Sequence, residues 1–432
     1  MMLGITVLLL LVLAGSGVFV AAVLGVLGGV LTQLFSTFPL IRGLGEVAWS
    51  SSADFILVAV PMFILMGELL LRSGVTDSMY TALDRWVGHI PGGLMHTNVA
   101  ASAVFAATSG SSIATAATIG TVSIPNMQRF GYNPPMFLGT IAAGGTLGIL
   151  IPPSINMVLY GAMSETAVSD LYLAALIPGL MLALIFSLYV YLACKFNPSL
   201  APRGRAAPWR ERIAALVHLG PPLFLFLLVV GSIYAGLATA TEASALGVVG
   251  SLLLVVLRGR LSVQMLLRSF EGTVRTTAMV MAIVIAAYFL NFVLSTLGLT
   301  DAAVKWVGEL HWSPMAVLFS IIVLYVILGC FVESLTLMVA TTPVVVPIIQ
   351  HLGFSPIWFG VVFVILIETA LITPPIGMNL FVVQSVRKGG DFRDVVLGSL
   401  PFVGLMFLLI LLLIAFPSLA LWLPELFAST RA

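Results

Sequence analysis

Residues 368–379 read ETALITPPIGMN. The stretch lies in a long apolar run, yet it holds Glu368, Thr369, Thr373, the pair Pro374-Pro375, Gly377 and Asn379. A proline inside a helix removes a backbone donor and clashes with the preceding turn, which frees carbonyls. In lipid, a freed backbone group has no water to turn to. Irregular backbone survives there only inside protein or against a wet cavity. The motif therefore reads as a broken membrane helix with polar groups at the break, the arrangement that transporters use to build binding sites.

The rest of the chain fits that setting. It has 432 residues, 60% hydrophobic and 8% charged, with a mean hydropathy of +1.16. A soluble domain cannot hide so much apolar surface. Runs of about 18 apolar residues or more read as transmembrane helices, and they recur from Met1 to Phe427. The opening run is too long for a cleavable signal and lacks a basic start. No linker has room for a soluble domain. A net charge of +1 points to no particular partner; membrane lipid is the expected surroundings, and no nucleic-acid partner is expected. Cys194 and Cys330 read as small buried hydrophobes, with no disulfide framework or metal spacing. The five histidines form no ligand pair with an acid, and no phosphate-binding glycine loop occurs. A metalloenzyme or ATP-driven machine has no support.

Basic residues mark the cytoplasmic side. They cluster at Lys195, Arg203, Arg205, Arg210 and Arg212, at Arg258, Arg260, Arg268 and Arg275, and at Arg387, Lys388 and Arg393. Threading outward from these gives full crossings over 54–72, 134–162, 169–195, 213–236, 238–257, 276–298, 356–386 and 396–427, with one more over 2–40. Residues 96–128 and 314–350 must return to the side they enter from, and read as re-entrant hairpins. The mixed-charge loop 299–313 falls outside, and only Arg42, Lys305 and Arg431 are basic residues on that side.

An internal repeat organises the chain. Laying Pro152-Pro153 over Pro374-Pro375 sets an offset of 222 residues (152 to 374). At that offset Ser112 meets Ser334, Pro125 meets Pro347, Gly131 meets Gly353, Tyr132 meets Phe354 and Pro134 meets Pro356. Upstream, GVTD at 74–77 resembles GLTD at 298–301. The topology gives the copies opposite orientations. The fold class expected is an all-α polytopic membrane protein, an inverted-repeat, elevator-type secondary transporter with two re-entrant hairpins and two broken helices. Its parts are N-terminal scaffold helices (1–72), a first repeat with a cytoplasm-facing hairpin (73–195), a basic loop and central scaffold helices (196–275), a second repeat with an outward-facing hairpin (276–395), and a C-terminal helix (396–432).

Each repeat pairs a hairpin tip with its own break. The first has ATSGSSIAT (107–115) and GGTLGILIPPSIN (144–156); the second has GCFVESLT (329–336) and the opening motif. Small tip residues let two backbones approach. Ser109, Ser112, Thr115, Thr146 and Ser154 offer oxygens in one half, and Ser334, Thr336, Thr369 and Thr373 in the other. Hydroxyls in membrane helices also serve packing alone. The pairing of tips with breaks favours ion or substrate binding: freed carbonyls and hydroxyls suit a hard cation, and half-helix N-termini suit an anion. Glu68, Glu242, Glu333 and Glu368 lie within apolar segments, where a charge is costly and usually functional.

The motifs GSSIATAATIGTVSIPNMQRFGY (110–132), GGTLGILIPPSINMVLYG (144–161), VESLTLMVATTPVVVPII (332–349) and ETALITPPIGMNLFVV (368–383) resemble the large membrane subunit of tripartite ATP-independent periplasmic (TRAP) transporters. The resemblance runs along nearly the whole chain in order. It implies a permease of the bacterial inner membrane working with a small four-helix membrane subunit and a soluble periplasmic substrate-binding protein. It implies uptake of organic anions (dicarboxylates, keto acids, sialic acids, other sugar acids), symport with Na⁺ as the coupling ion, and an elevator movement. Carried over, one Na⁺ site falls on Ser109, Ser112, Gly145, Gly148 and Pro152. The other falls on Gly329, Glu333, Thr369, Thr373 and Met378. The substrate cleft falls near Ser111, Asn156, Thr336 and Asn379. No small-subunit segment is evident at the N-terminus, so a separate one is expected.

Three rivals remain at this point. A stand-alone ion-coupled anion symporter of the same build would work without a binding protein. A channel or passive scaffold would not concentrate a solute. An intramembrane enzyme would need a nucleophile–base pair, and none appears at plausible spacing, so no catalytic residue and no enzyme activity are expected.

Overall fold

The computed structural model describes residues 2–15, 18–202, 204 and 206–431, and among these every regular element is helical. Arg203 and Arg205, members of the first basic cluster, lie outside the described residues. The chain opens with α1 (Met2–Gly15) and α2 (Val20–Phe35). The single crossing expected over 2–40 is therefore two helices. The backbone is extended at Phe19 (φ −54°, ψ 134°), and each helix is shorter than the roughly 20 residues that span hydrocarbon. Next come α3 (Leu44–Ser52), α4 (Ala59–Arg72) and the amphipathic α5 (Val75–Val87). The chain bends by 64° between α3 and α4.

The first hairpin is α6 (Leu94–Ser109) and α7 (Ser112–Phe130). The first broken helix is α8 (Pro134–Leu150) and α9 (Ile155–Ser164), bent by 43°. After α10 (Val168–Phe196), the segments α11 (Trp209–Ala215), α12 (Gly220–Phe226) and α13 (Ser232–Tyr234) run on as one 26-residue apolar span. Two long helices follow, α14 (Ala240–Leu257) and α15 (Val263–Thr296). At 34 residues, α15 is about 51 Å long, so it extends well beyond the hydrocarbon.

The second half repeats the pattern. After α16 (Leu299–Glu309), a hairpin forms from α17 (Pro314–Gly329) and α18 (Ser334–His351). A broken helix follows, α19 (Pro356–Leu371) and α20 (Met378–Arg387). The chain closes with α21 (Phe392–Ala415) and α22 (Ser418–Arg431). Among the described residues, five of these helices and the α11–α13 run are long and apolar enough to cross a membrane, or up to eight spans if each bent pair counts as one.

Two further expectations change. The loop expected over 299–313 is mostly the helix α16. It starts as α5 does, from a glycine in the left-handed region (Gly74 φ 73°, Gly298 φ 67°) with an aspartate in the first turn. The single helix expected over 396–427 breaks between α21 and α22. Pro417 lacks an N–H and drives the residue before it out of the helical region, and Phe416 lies at φ −132°, ψ 75°.

The repeat is visible in the backbone. Both Pro152-Pro153 and Pro374-Pro375 are cis, and Gly131 and Gly353 are both left-handed. Asn133 and Ser355 cap α8 and α19 through their side chains, each followed by a proline that suits the first helical position. Ser111 and Glu333 cap α7 and α18.

The helices sort into two groups by contact. One gathers α2, α3, α4 and α14 around α15 and one another. The other places α6, α7 and α21 against α8, with α20 on α7 and α18 on α9. In the second group α8 and α21 meet backbone to backbone at Gly139 and Gly398, where a side chain on either would strike the other helix; membrane helices pack by such small-residue contacts. The helix α11, at the end of the basic cluster, is held to α5. Arg85 pairs with Glu211, and the Trp86 indole N–H donates to the Arg212 carbonyl at 2.9 Å.

Candidate functional site

Hairpin one turns at Gly110, which is left-handed (φ 61°), and at Ser111. The Ser111 hydroxyl accepts from the Ala114 N–H at 3.3 Å and caps α7. A methyl group on Gly110 would sit 3.1 Å from the Pro153 carbonyl oxygen. One on Gly148 would sit 2.6 Å from the Ser111 carbonyl oxygen and 2.7 Å from Thr115 Oγ1. Tip one therefore lies directly on break one, and the glycines permit the approach. Thr115 donates to the Ser111 carbonyl at 2.8 Å, and its oxygen is 2.9 Å from Ser109 Oγ. A methyl on Gly145 would lie 3.1 Å from the Ser112 carbonyl oxygen. The structure thus gathers Ser109, Ser112, Gly145 and Gly148 at tip one, with Pro152 preceding the carbonyl that faces Gly110.

At the second tip, Gly329 ends α17, and a methyl there would lie 2.5 Å from Ala370 Cβ, next to Thr369. The Thr369 hydroxyl donates to the Ile365 carbonyl at 2.6 Å, and Thr373 donates to the Thr369 carbonyl at 2.7 Å. Glu333 accepts from the Thr336 N–H at 3.0 Å and from its hydroxyl at 3.1 Å, capping α18. Gly329, Thr369 and Thr373 come together, Glu333 faces a cavity described below, and Met378 at the start of α20 is exposed.

The halves are also cross-linked. Ser112 of tip one donates to the Glu368 carboxylate of break two. Asn379 donates to the Ala142 carbonyl on α8 at 3.3 Å. Each tip does meet the break of its own half, as expected, but tip one also meets break two, and break two also meets α8. The partner of Ser112 has no mark in the sequence, because 256 residues separate it from Glu368.

A cavity of about 380 Å³ opens between the two tips and the helices α4 and α15. Its polar lining includes Glu68, Ser111, Ser112, Asn156, Thr276 and Glu333, and no lysine, arginine or histidine is among its lining residues. Three helices begin at it: α7 at Ser112, α9 at Ile155 and α18 at Ser334. Helix N-termini carry partial positive charge and unpaired N–H groups. Glu68 is paired with Arg72 one turn further on. Of the residues expected at a substrate cleft, Ser111 and Asn156 line the cavity; Thr336 and Asn379 are buried outside its lining. Thr276 and Met279 of α15 line it without any sequence signal, and Glu68 stands out in the sequence only as an acid in an apolar run.

The chain matches the family described as "Tripartite ATP-independent periplasmic transporter, DctM component" over residues 5–419. It is 36% identical to the C4-dicarboxylate TRAP transporter large permease protein DctM of Pseudomonas aeruginosa, covering 92% of this chain and 93% of that protein. It is 33% identical to the sialic acid TRAP transporter large permease protein SiaM of Vibrio cholerae, covering 87% of each. It is 32% identical to the ectoine/5-hydroxyectoine TRAP transporter large permease protein UehC of Ruegeria pomeroyi, covering 86% of each. Among solved structures, the Alcanivorax borkumensis YdaH transporter shares the fold, with a TM-score of 0.66, 16% identity and 98% coverage of both chains.

Proposed function

The chain belongs to the DctM family of TRAP transporters, and from that premise we propose that it carries a small organic anion across the bacterial inner membrane, coupled to Na⁺. The observation that carries this reading is the convergence of three helix N-termini on one cavity. Such termini favour an anion without needing a basic side chain. Glu68 is offset by Arg72, and Glu333 is engaged in capping α18. The relatives named for C4-dicarboxylates and sialic acid support a carboxylate or sugar acid as cargo. The partners proposed are a small four-helix membrane subunit and a periplasmic binding protein that delivers the substrate.

In the proposed cycle, Na⁺ settles among the tip and break oxygens and fixes the tips against the breaks. The carboxylate then meets the N–H groups of α7, α9 and α18 together with Ser111 and Asn156. The hairpins and broken helices move as one body past α4 and α15, an elevator step. An ion or substrate drives that step only through a difference in its affinity between the two states.

The test is uptake into sealed vesicles holding this chain and its small subunit, supplied with binding protein and labelled carboxylate. Accumulation that needs an inward Na⁺ gradient and the binding protein is expected. Accumulation without the binding protein would establish the stand-alone symporter instead, and accumulation indifferent to Na⁺ would remove the coupling ion.

A further inference from the structure

We propose that the Glu368 carboxylate is a Na⁺ ligand shared with Ser112, so that the ion site at the first hairpin tip takes its negative charge from the second repeat. This rests on the Na⁺-coupled reading above and assigns to it a group beyond the hydroxyls and carbonyls of tip one.

Glu368 is 1% exposed, near the end of α19. One carboxylate oxygen accepts from the Ser112 hydroxyl, and the other, Oε1, is buried with no hydrogen-bond partner. No lysine, arginine or histidine pairs with it among the described residues. The other charged group that acts on it is a second carboxylate, Glu333 at the tip of hairpin two. The remaining charged or titratable residues of the helices packed on α19 are Asp170, Lys195, His351, Arg387, Arg393, Asp394, Glu425 and Arg431, and all but Glu425 stand towards a helix end. A buried carboxylate with one neutral donor is poorly compensated. A second orphan lies nearby. Asn379 is fully buried, and its Oδ1 has no partner. The Asn379 Nδ2 and the Ser112 carbonyl oxygen approach the same point above Gly145, at 2.9 and 3.1 Å from where a Cβ would lie. Two buried acceptors without donors thus flank the residue expected to hold Na⁺ at tip one. Hard monovalent and divalent cations are held by such oxygens, and charged ligands raise their affinity.

The repeat sharpens the point. The counterpart of Glu368 at the 222-residue offset is Thr146, whose hydroxyl is bonded to the Ala143 carbonyl in its own helix at 2.6 Å. The counterpart of Ser112 is Ser334, which bonds Glu333 at 3.3 Å. A carboxylate reaching across from break to opposite tip occurs in one direction only. Na⁺ bound there would fasten hairpin one to broken helix two.

The experiment is Na⁺ binding to the chain purified with its small subunit, read by ²²Na⁺ equilibrium binding and by the rise in melting temperature with NaCl against choline chloride. Wild type, Glu368→Gln and Thr373→Ala are compared. Glu368→Gln is expected to weaken Na⁺ binding by about tenfold or more, as loss of a group supporting a metal site does, and to lose one bound ion at concentrations that saturate wild type. Thr373→Ala should keep that ion. Wild-type affinity and stoichiometry in Glu368→Gln would overturn the proposal and leave Na⁺ coupling standing. No Na⁺ effect on wild type would end both together. If Glu368→Gln does not fold, Glu368→Asp decides. The shortened carboxylate should change the ratio of Na⁺ to Li⁺ affinity, and an unchanged ratio with unchanged Na⁺ affinity overturns the assignment.

Discussion

Ser111 and Glu333 stand 222 positions apart and do the same structural work at the tips of the two hairpins. Each accepts a backbone N–H three residues on, Ser111 from Ala114 at 3.3 Å and Glu333 from Thr336 at 3.0 Å. Serine is an ordinary cap; glutamate is not among the preferred ones. The exchange puts a carboxylate on the cavity in one repeat and a hydroxyl in the other. Ser111→Ala should lower stability by about 0.5–2 kcal/mol, the cost of losing a cap. Glu333→Ser should cost less, because serine restores the cap. Thermal unfolding of the detergent-solubilised chain checks both. A larger loss for Glu333→Ser than for Ser111→Ala would mean that the glutamate holds more than its helix.

Gly148 tests how closely the first tip sits on its break. A methyl group there meets a backbone carbonyl and a hydroxyl already engaged by that carbonyl, so neither can step aside. Gly148→Ala should destabilise by about 1–3 kcal/mol through overpacking and abolish Na⁺-dependent uptake. Gly404, with nothing within 4 Å of an added methyl, is the comparison. Gly404→Ala in the middle of α21 should be neutral or stabilising by up to about 1 kcal/mol.

Sodium activation should respond to single hydroxyls. Ser112→Ala removes an oxygen from the first tip, and Thr373→Ala removes one from the second break. Each should shift half-maximal activation of uptake to higher Na⁺ concentration. The Na⁺ titration of uptake in vesicles measures it. If both curves coincide with wild type, the two sites have been placed wrongly.

Asp84 should give the chain a pH dependence away from the hairpin tips. It lies on α5, outside the helices long enough to cross, and burial pushes its carboxyl above the ordinary carboxylate range while the Thr97 hydroxyl opposes that shift. A raised folded-state pKa means that the folded chain holds the proton longer than the unfolded one. Stability therefore falls as pH climbs from about 4 through the folded value, and the deficit persists above it. Asp84→Asn should raise the melting temperature at pH 7 more than at pH 4. An equal change at both would show that ionisation of Asp84 is not involved.

Much of this architecture was legible because proline and glycine keep their positions through divergence of apolar sequence. Threading from the basic clusters put the hairpins over 96–128 and 314–350, close to α6–α7 and α17–α18, and the two Pro-Pro pairs mark both breaks. The 222-residue offset also aligned Gly131 with Gly353, which share a left-handed backbone. Helix ends were harder. Nothing in hydropathy alone divides α1 from α2, and hydropathy gives no sign of the break at Pro417 because the run stays apolar through it. The site divided in the same way. Tip-to-break contacts follow from small residues close to one another in each repeat. Contacts between repeats, such as Ser112 with Glu368, and the lining from α15 depend on how the two halves dock, which no local pattern encodes.

The one-way link from Ser112 to Glu368 bears on the thermodynamics of the whole chain. If two inverted copies were identical, the inward-open and outward-open forms of the proposed cycle would be two-fold-related arrangements of the same contacts, and equal in free energy. The empty protein would then rest half in each. Every unmatched exchange between copies breaks that degeneracy. Glu368 facing Ser112, with Thr146 and Ser334 each bonded elsewhere, is such an exchange at the point where hairpin and break meet. In the proposed elevator cycle, such an exchange would bias the unloaded protein towards one of its two forms.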